Sequence, residues 1–368
     1  MSEAPLTGSA LTVVGRQLRP YDKLALSGRA LASFTPDRDV RAAGKWGACI
    51  VSERYRGELG RQSDSHQDHP LQFLSMPASS LALVILAGLI HALWNIAAKK
   101  AGGDARFATF TGLLMALIWA PLGIWLGWDV LPTWGSVEWG FVVVSGIVHV
   151  LYYIALLRGY RKADLTVVYP LARGSGPLLS SLVAILVLGE QITAFGVAGI
   201  LAVVVGVFFI AGGPGLFRAA HDPAKQAGIR TGMLYGLLTG IFIATYTVVD
   251  GYAVKFFLMS PILLDYYGNL VRLVFLLPTV LRDRVSAGQH WRKQWKYALV
   301  VATVSPIGYV LVLYAMKAAP LSHVAPAREV SMLFAALIGG QLLGESDRLA
   351  RIAGAALIAF GVMALALG

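Results

Sequence analysis

The sequence predicts an all-α membrane protein of ten transmembrane helices, built as two inverted five-helix repeats. Three observations carry that expectation: a composition too apolar for a soluble domain, ten apolar runs of spanning length, and an internal duplication. Of the 368 residues, 57% are hydrophobic and only 14% charged, with a mean hydropathy of +0.65. Soluble domains carry about 25% charged residues. The net charge of +11 could mark a nucleic-acid binder, but from residue 76 onward the basic residues sit in short joints between apolar runs. Membrane topology explains that pattern better. The lone cysteine, Cys49, excludes an internal disulfide framework and a cysteine-based metal site.

Residues 1–75 differ from the rest. They hold 10 Lys/Arg and 8 Asp/Glu, with no sustained periodicity and no apolar core of a signal peptide. They are expected to be a disordered N-terminal extension, with SDSHQDHP (63–70) as a polar linker. Two readings of this extension stand. It is either a mobile arm of the native protein, or sequence upstream of a natural start at Met76, whose MPASS leads directly into the first apolar run.

A spanning helix needs roughly 20 mostly apolar residues. Segments near 79–98, 107–127, 139–158, 165–188, 192–211, 229–249, 259–281, 296–316, 321–343 and 349–367 meet that need, and none alternates like a barrel strand. The halves are 76–213 and 229–368, joined by a linker at 214–228. ADLTVVYPLARGSGPLLSSLVAILVLGE (163–190) finds a counterpart in APLSHVAPAREVSMLFAALIGGQLLGE (319–345). Pro170 matches Pro326 at an offset of 156; one residue is then lost, and Arg173, Gly189 and Glu190 match Arg328, Gly344 and Glu345 at 155. Tyr153 falls on Tyr309 and Trp94 on Tyr246. The stripe Gly199, Ala202, Gly206 recurs as Gly354, Leu357, Gly361, which suits close helix packing.

Five spans is an odd number, so consecutive copies must cross the membrane in opposite senses. The loops after spans 1, 3, 5, 7 and 9, with their flanking residues, hold 16 Lys/Arg against 2 for the others. Equivalent loops of the two halves thus carry opposite bias, as inverted repeats require. The bias places the odd loops in the cytoplasm and both termini outside.

LIHALWNIAAKK (89–100), the YPLARGSGPLL segment that ends in LGE, and VAPAREVSMLFAALIGGQLLGE resemble the EamA-like branch of the drug/metabolite transporter superfamily. The resemblance covers 76–368. It implies a ten-helix secondary transporter with a central cavity between the repeats, and members usually drawn with both termini cytoplasmic, against the loop count. It names no substrate. The small multidrug members carry a glutamate in their first helix where this chain has His91 and Asn95, which weighs against a cationic-drug exporter.

An arginine at helix centre costs about 2.5 to 3.5 kcal/mol on insertion scales, so it must face protein or water. Arg173 lies about 12 Å into its span. Pro170 and Pro326 are expected to break their helices, which is tolerated at that depth only where protein or a watery cavity satisfies the freed groups. The broken segments are therefore expected to form cavity walls, with Arg173 and Arg328 holding an anion in their planar forks. The competing reading pairs each with an acid, Glu329, Asp265 or one on a neighbouring helix. Asp265, Asn269 and Arg272, at i, i+4 and i+7, share one helical stripe that must face inward. The chain has two asparagines, Asn95 and Asn269, each four residues after an ionisable group, His91 or Asp265. The expected substrate residues are Arg173, Arg328, Asp265, Asn269, Arg272, His91, Trp94, Asn95 and Tyr246; Asp265, Glu329 and His91 are the proton-coupling candidates. Glu190 and Glu345, at span ends, read as structural, and His149 and His323 as lone packing histidines.

The sequence lacks HExxH, a Cys/His set, a G-x-S-x-G elbow and a Walker loop. It therefore does not read as an enzyme, and neither a metal nor a cofactor is expected. The expected activity is secondary transport of a small organic metabolite, anionic or zwitterionic, such as an amino acid or carboxylate, across a bacterial inner membrane. The expected partners are that substrate and the lipid bilayer, not nucleic acid. A membrane-embedded accessory subunit and a multidrug or cationic exporter are the alternatives.

Overall fold

Arg284–Ala318 is one helix of 35 residues, about 52 Å at 1.5 Å per residue, and so outruns a bilayer core of roughly 30 Å. This computed structural model describes residues 75–102, 104–163, 165–211, 226–343 and 348–368. The expected extension except Ser75, most of the linker and Glu345 lie outside them. Among the described residues the regular elements are helices: α1 Ala78–Lys100, α2 Ala105–Ile118, α3 Ala120–Val130, α4 Ser136–Lys162, α5 Leu165–Leu186, α6 Ala194–Ile210, α7 Gln226–Phe256, α8 Pro261–Leu276, α9 Pro278–Leu281, α10 Arg284–Ala318, α11 Leu321–Ala327, α12 Val330–Leu343 and α13 Arg348–Leu367.

Local chemistry sets several starts. Asp104 Oδ1 accepts from Phe107 N at 2.9 Å to open α2, and Asp283 Oδ1 accepts from Ser286 N at 3.0 Å to open α10. Each cap satisfies one of the orphan donors of a first turn. The capped start of α10 corrects the expected loop at 282–295: its basic residues and Trp291 and Trp295 ride on helix, where aromatic and basic side chains suit the membrane interface.

Among the described residues six helices are long and apolar enough to cross a membrane: α1, α4, α7, α8 with α9, α10 and α13. A seventh is the pair α2 and α3, bent by 61° at the joint before Pro121. The other expected spans fall short for visible reasons. α6 has 17 residues, α5 is diluted by Arg173 with its glycines, serines and prolines, and α11 and α12 are separated at Arg328 and Glu329.

The packing repeats when the halves are exchanged. α5 lies along α7 as α12 lies along α1; α4 packs on α7 and α8 as α10 packs on α1 and α2; α2 meets α8, and α6 meets α13. The α6 and α13 crossing uses the two glycine stripes against each other. A Cβ on Gly199 would stand 2.9 Å from Gly361 O, and one on Gly206 2.7 Å from Gly354 O. Numbers rise on one helix as they fall on the other, so these repeat mates run antiparallel.

Two second-half prolines are answered from the first half. Pro306 cannot donate to Ala302 O, which instead accepts from Trp119 Nε1 at 3.1 Å. Pro326 cannot donate to Ser322 O, which accepts from Ser181 Oγ at 2.9 Å. Proline breaks in membrane helices persist where neighbours satisfy the freed carbonyls.

Candidate substrate site

The expectation of two broken walls needs correction in the first half. α5 runs unbroken through Pro170 and Pro177. Its neighbour α7 supports it there: a Cβ on Gly232 would lie 2.8 Å from Val167 and one on Gly236 2.8 Å from Leu171, so the two helices pack at close range beside the proline. In the second half α11 ends at Ala327, and i to i−3 bonds carry the chain round: Glu329 N to Pro326 O at 3.0 Å, Ser331 N to Arg328 O at 3.2 Å and Met332 N to Glu329 O at 2.8 Å.

That turn brings both arginines to one acid. Glu329, 1% exposed, sits with Oε2 at 2.8 Å from Arg173 Nη2 and Oε1 at 3.8 Å from Arg328 Nε. Arg173 Nη2 also donates to Ser331 Oγ at 3.1 Å. Two positive charges share one carboxylate, and the Nε atoms of both arginines are buried without an aligned acceptor. The guanidinium of Arg328 lies 5.8 Å from the centroid of the Tyr246 ring, a cation–π distance. Tyr246 stacks on His149 at 4.0 Å and meets Tyr152 edge-on at 5.8 Å. Tyr169 donates to Met332 Sδ at 3.1 Å.

Asp265 and Arg272 pair with each other, Oδ1 to Nη2 at 2.9 Å. Asp265 also lines a cavity of about 140 Å3 with Trp119, Tyr266, Pro306 and Tyr314. Asn269 faces a different partner, donating to Gly112 O at 3.0 Å and so tying α8 to α2. His91 lies within electrostatic reach of Arg173 and Arg328. Asn95 does not bond the His91 ring as its spacing suggested; it donates to the His91 backbone carbonyl at 2.8 Å and is exposed. Trp94 meets the His91 ring edge-on at 4.7 Å and packs against the cluster of Phe107, Phe110 and Ala298. Its repeat mate Tyr246 is the one that lies against Arg328.

The structure adds residues the sequence did not single out. His149, expected to be packing, joins the Tyr246 stack and bonds Ser145 O through Nδ1 at 2.9 Å. Asp250 is buried and accepts from the Tyr309 hydroxyl. The apolar run expected near 229–249 stops one residue short of Asp250, whereas α7 continues to Phe256. Tyr309 had one signal, its match to Tyr153, yet the mates act differently: Tyr153 donates to Asp104 O at 2.7 Å and only fastens a loop.

Glu190 is a structural clamp. It accepts from Leu321 N and Ser322 N, each at 2.8 Å, and from Lys255 Nζ at 3.0 Å, so a first-half carboxylate caps the start of α11. Among the described residues no group of three or more His, Cys, Asp or Glu side chains is placed to hold a metal ion.

Comparison with known proteins follows the same duplication. The model of the EamA-like transporter family matches twice, over residues 78–212 and 230–367. A solved structure described as "Crystal structure of protein" superposes with a TM-score of 0.59 at 19% identity, covering 79% of this chain and 98% of that one. At that identity the likeness shows the fold. No curated protein matches the chain.

Proposed function

The chain belongs to the EamA-like transporter family and is an integral multi-pass membrane protein, and from that premise we propose that it is a secondary carrier of a small anionic or zwitterionic metabolite. Its ten spans are α1, α2 with α3, α4, α5 and α6, then α7, α8 with α9, α10, α11 with α12, and α13. The halves are inverted copies, a reading supported by the antiparallel contact of the mates α6 and α13. A bacterial inner membrane is the proposed location.

The observation that carries this reading is Glu329 between Arg173 and Arg328. The two arginines come from opposite halves, and their shared partner is a carboxylate. A substrate carboxylate or phosphate can take the same forks, because guanidinium presents paired donors in a plane. In this structure the acid of the protein fills that place. An entering anion displaces Glu329, and the exchange of partners lets the two halves rock about the site, which is alternating access in an inverted-repeat carrier. Protonation of Glu329, the coupling candidate nearest both arginines, would free the forks for the anion; Asp265 and His91 are the other candidates.

Thermal unfolding of the purified protein against amino acids, carboxylates, nucleobases, phosphorylated sugars and cationic compounds tests the reading. Stabilisation by one anionic class is expected, weakened about ten- to hundredfold in affinity by Arg173→Ala or Arg328→Ala, the range for a lost charge-assisted bond. Lysine at either position should restore part of it. Stabilisation by cations alone, or anion binding unchanged in both alanine variants, would overturn the site. Absence of any ligand response would favour the accessory-subunit reading.

A further inference from the structure

Asp250 is a buried acid that the arginine site does not use. It lies within the span of α7 and is 1% exposed. The buried acids Glu329 and Asp265 have the cations Arg173 and Arg272 at hand, and the half-buried Glu190 has Lys255. Among the described residues no ion pair includes Asp250. The Tyr309 hydroxyl donates to Oδ2, the Ser145 hydroxyl stands alongside, and Oδ1 has no aligned donor. An ionised carboxylate is costly in such surroundings, and with no cation in contact the remedy open to it is to bind a proton.

We infer that Asp250 is a proton-binding site, in which Oδ1 takes up a proton from water while Tyr309 holds Oδ2. Tyr309 from α10 bonds it, Arg272 and Asp265 from α8 lie within electrostatic reach, and His149 from α4 reaches the Ser145 hydroxyl beside it. Arg173 of α5 and His323 of α11 are engaged elsewhere, with Glu329 and with Ser322. From Asp250 a continuous path leads to the arginines. Ser145 Oγ is 3.4 Å from His149 Nδ1, His149 stacks on Tyr246, and Tyr246 lies against Arg328. The use of that proton in coupling rests on the carrier reading; the binding itself does not.

Infrared difference spectroscopy of the reconstituted protein between acid and alkaline pH tests the site without any substrate. Above about pH 5, where exposed carboxyls have ionised, a component of the protonated-acid carbonyl stretch should remain in the native protein, persist in Asp265→Asn and Glu329→Gln, and be missing from the spectrum of Asp250→Asn. Tyr309→Phe is the second variant, because it keeps Asp250 and removes its donor. The midpoint of the band should then move to higher pH by about one to two units, since a hydrogen bond to the ionised form has been lost. A spectrum of Asp250→Asn that keeps every component of the native band, or a midpoint that stays or falls in Tyr309→Phe, overturns the inference. Either result leaves the ligand panel, and with it the carrier reading, untouched.

Discussion

α5 and the α11–α12 pair descend from one duplicated segment, yet one is a continuous helix and the other is broken beside its arginine. Two residues lie between Pro170 and Arg173, and one lies between Pro326 and Arg328. A deletion of one residue within a helix turns everything beyond it by about 100°. The turn at Arg328 and Glu329 absorbs that rotation, and the residue after the arginine changes from Gly174 to Glu329. Duplication therefore supplies two matching positive charges, while a local departure from symmetry supplies the single acid between them. The scaffold is symmetric and the site is not.

Glu329→Gln should break the comparison most severely. It leaves the buried charge of Arg173 without its partner, and removing one member of a buried pair costs about 3 to 5 kcal/mol. A large fall in thermal stability is expected, partly reversed by an anion that the protein binds. Its mate position is the contrast. A Cβ on Gly174 would meet only Val204, at 3.7 Å, so Gly174→Ala should be neutral or stabilise by up to about 1 kcal/mol, the usual helix-interior difference. Equal losses at the two positions would remove the asymmetry argued here.

The symmetric part predicts equal effects. A Cβ on Gly206 would lie 2.7 Å from Gly354 O, and one on Gly354 2.6 Å from Gly206 O. These contacts are with backbone, which cannot swing aside. Gly206→Ala and Gly354→Ala should each cost about 1 to 3 kcal/mol, the range for overpacking. Unfolding curves of the two variants in the same detergent should superimpose; a clear gap between them would show that the crossing is not shared evenly.

This division also explains what the sequence revealed. Scaffold features repeat, so the glycine stripes, the matched arginines and the helical class were visible as periodicity and duplication. Site features depend on side chains from distant helices. Nothing in the run around Asp250 tells that Tyr309, nearly sixty residues on, will donate to it, and an acid near the end of an apolar run reads as a boundary. The stack of His149 on Tyr246 is equally invisible, because it joins α4 to α7 across a fold the sequence only outlines. The proline at 170 misled for a related reason: its ring weakens a helix in isolation, whereas the glycine face of α7 holds α5 together.

Glu190 gives the smallest expected effect and tests the join between the halves. Its carboxyl lies in the segment between α5 and α6, where burial alone would raise its pKa; Lys255 and the backbone N–H groups of Ser322 and Leu321 outweigh that and hold it below the usual carboxylate range. An acid whose folded value is depressed adds stability above its unfolded value, near about 4.3, and loses it as pH falls through the folded value. In Glu190→Gln the amide oxygen can still accept from one of the N–H groups, but the charge facing Lys255 and the start of α11 is gone. A loss of about 0.5 to 2 kcal/mol is expected near neutral pH, the range for caps and helix-terminus charges. Because the cap joins the first half to the second, the loss should shrink as pH is lowered below about 4.3, until native and variant unfold alike. A gap that stays constant across that window would mean the clamp acts through shape alone, and a gap that widens toward acid would reverse the sign assigned to Glu190.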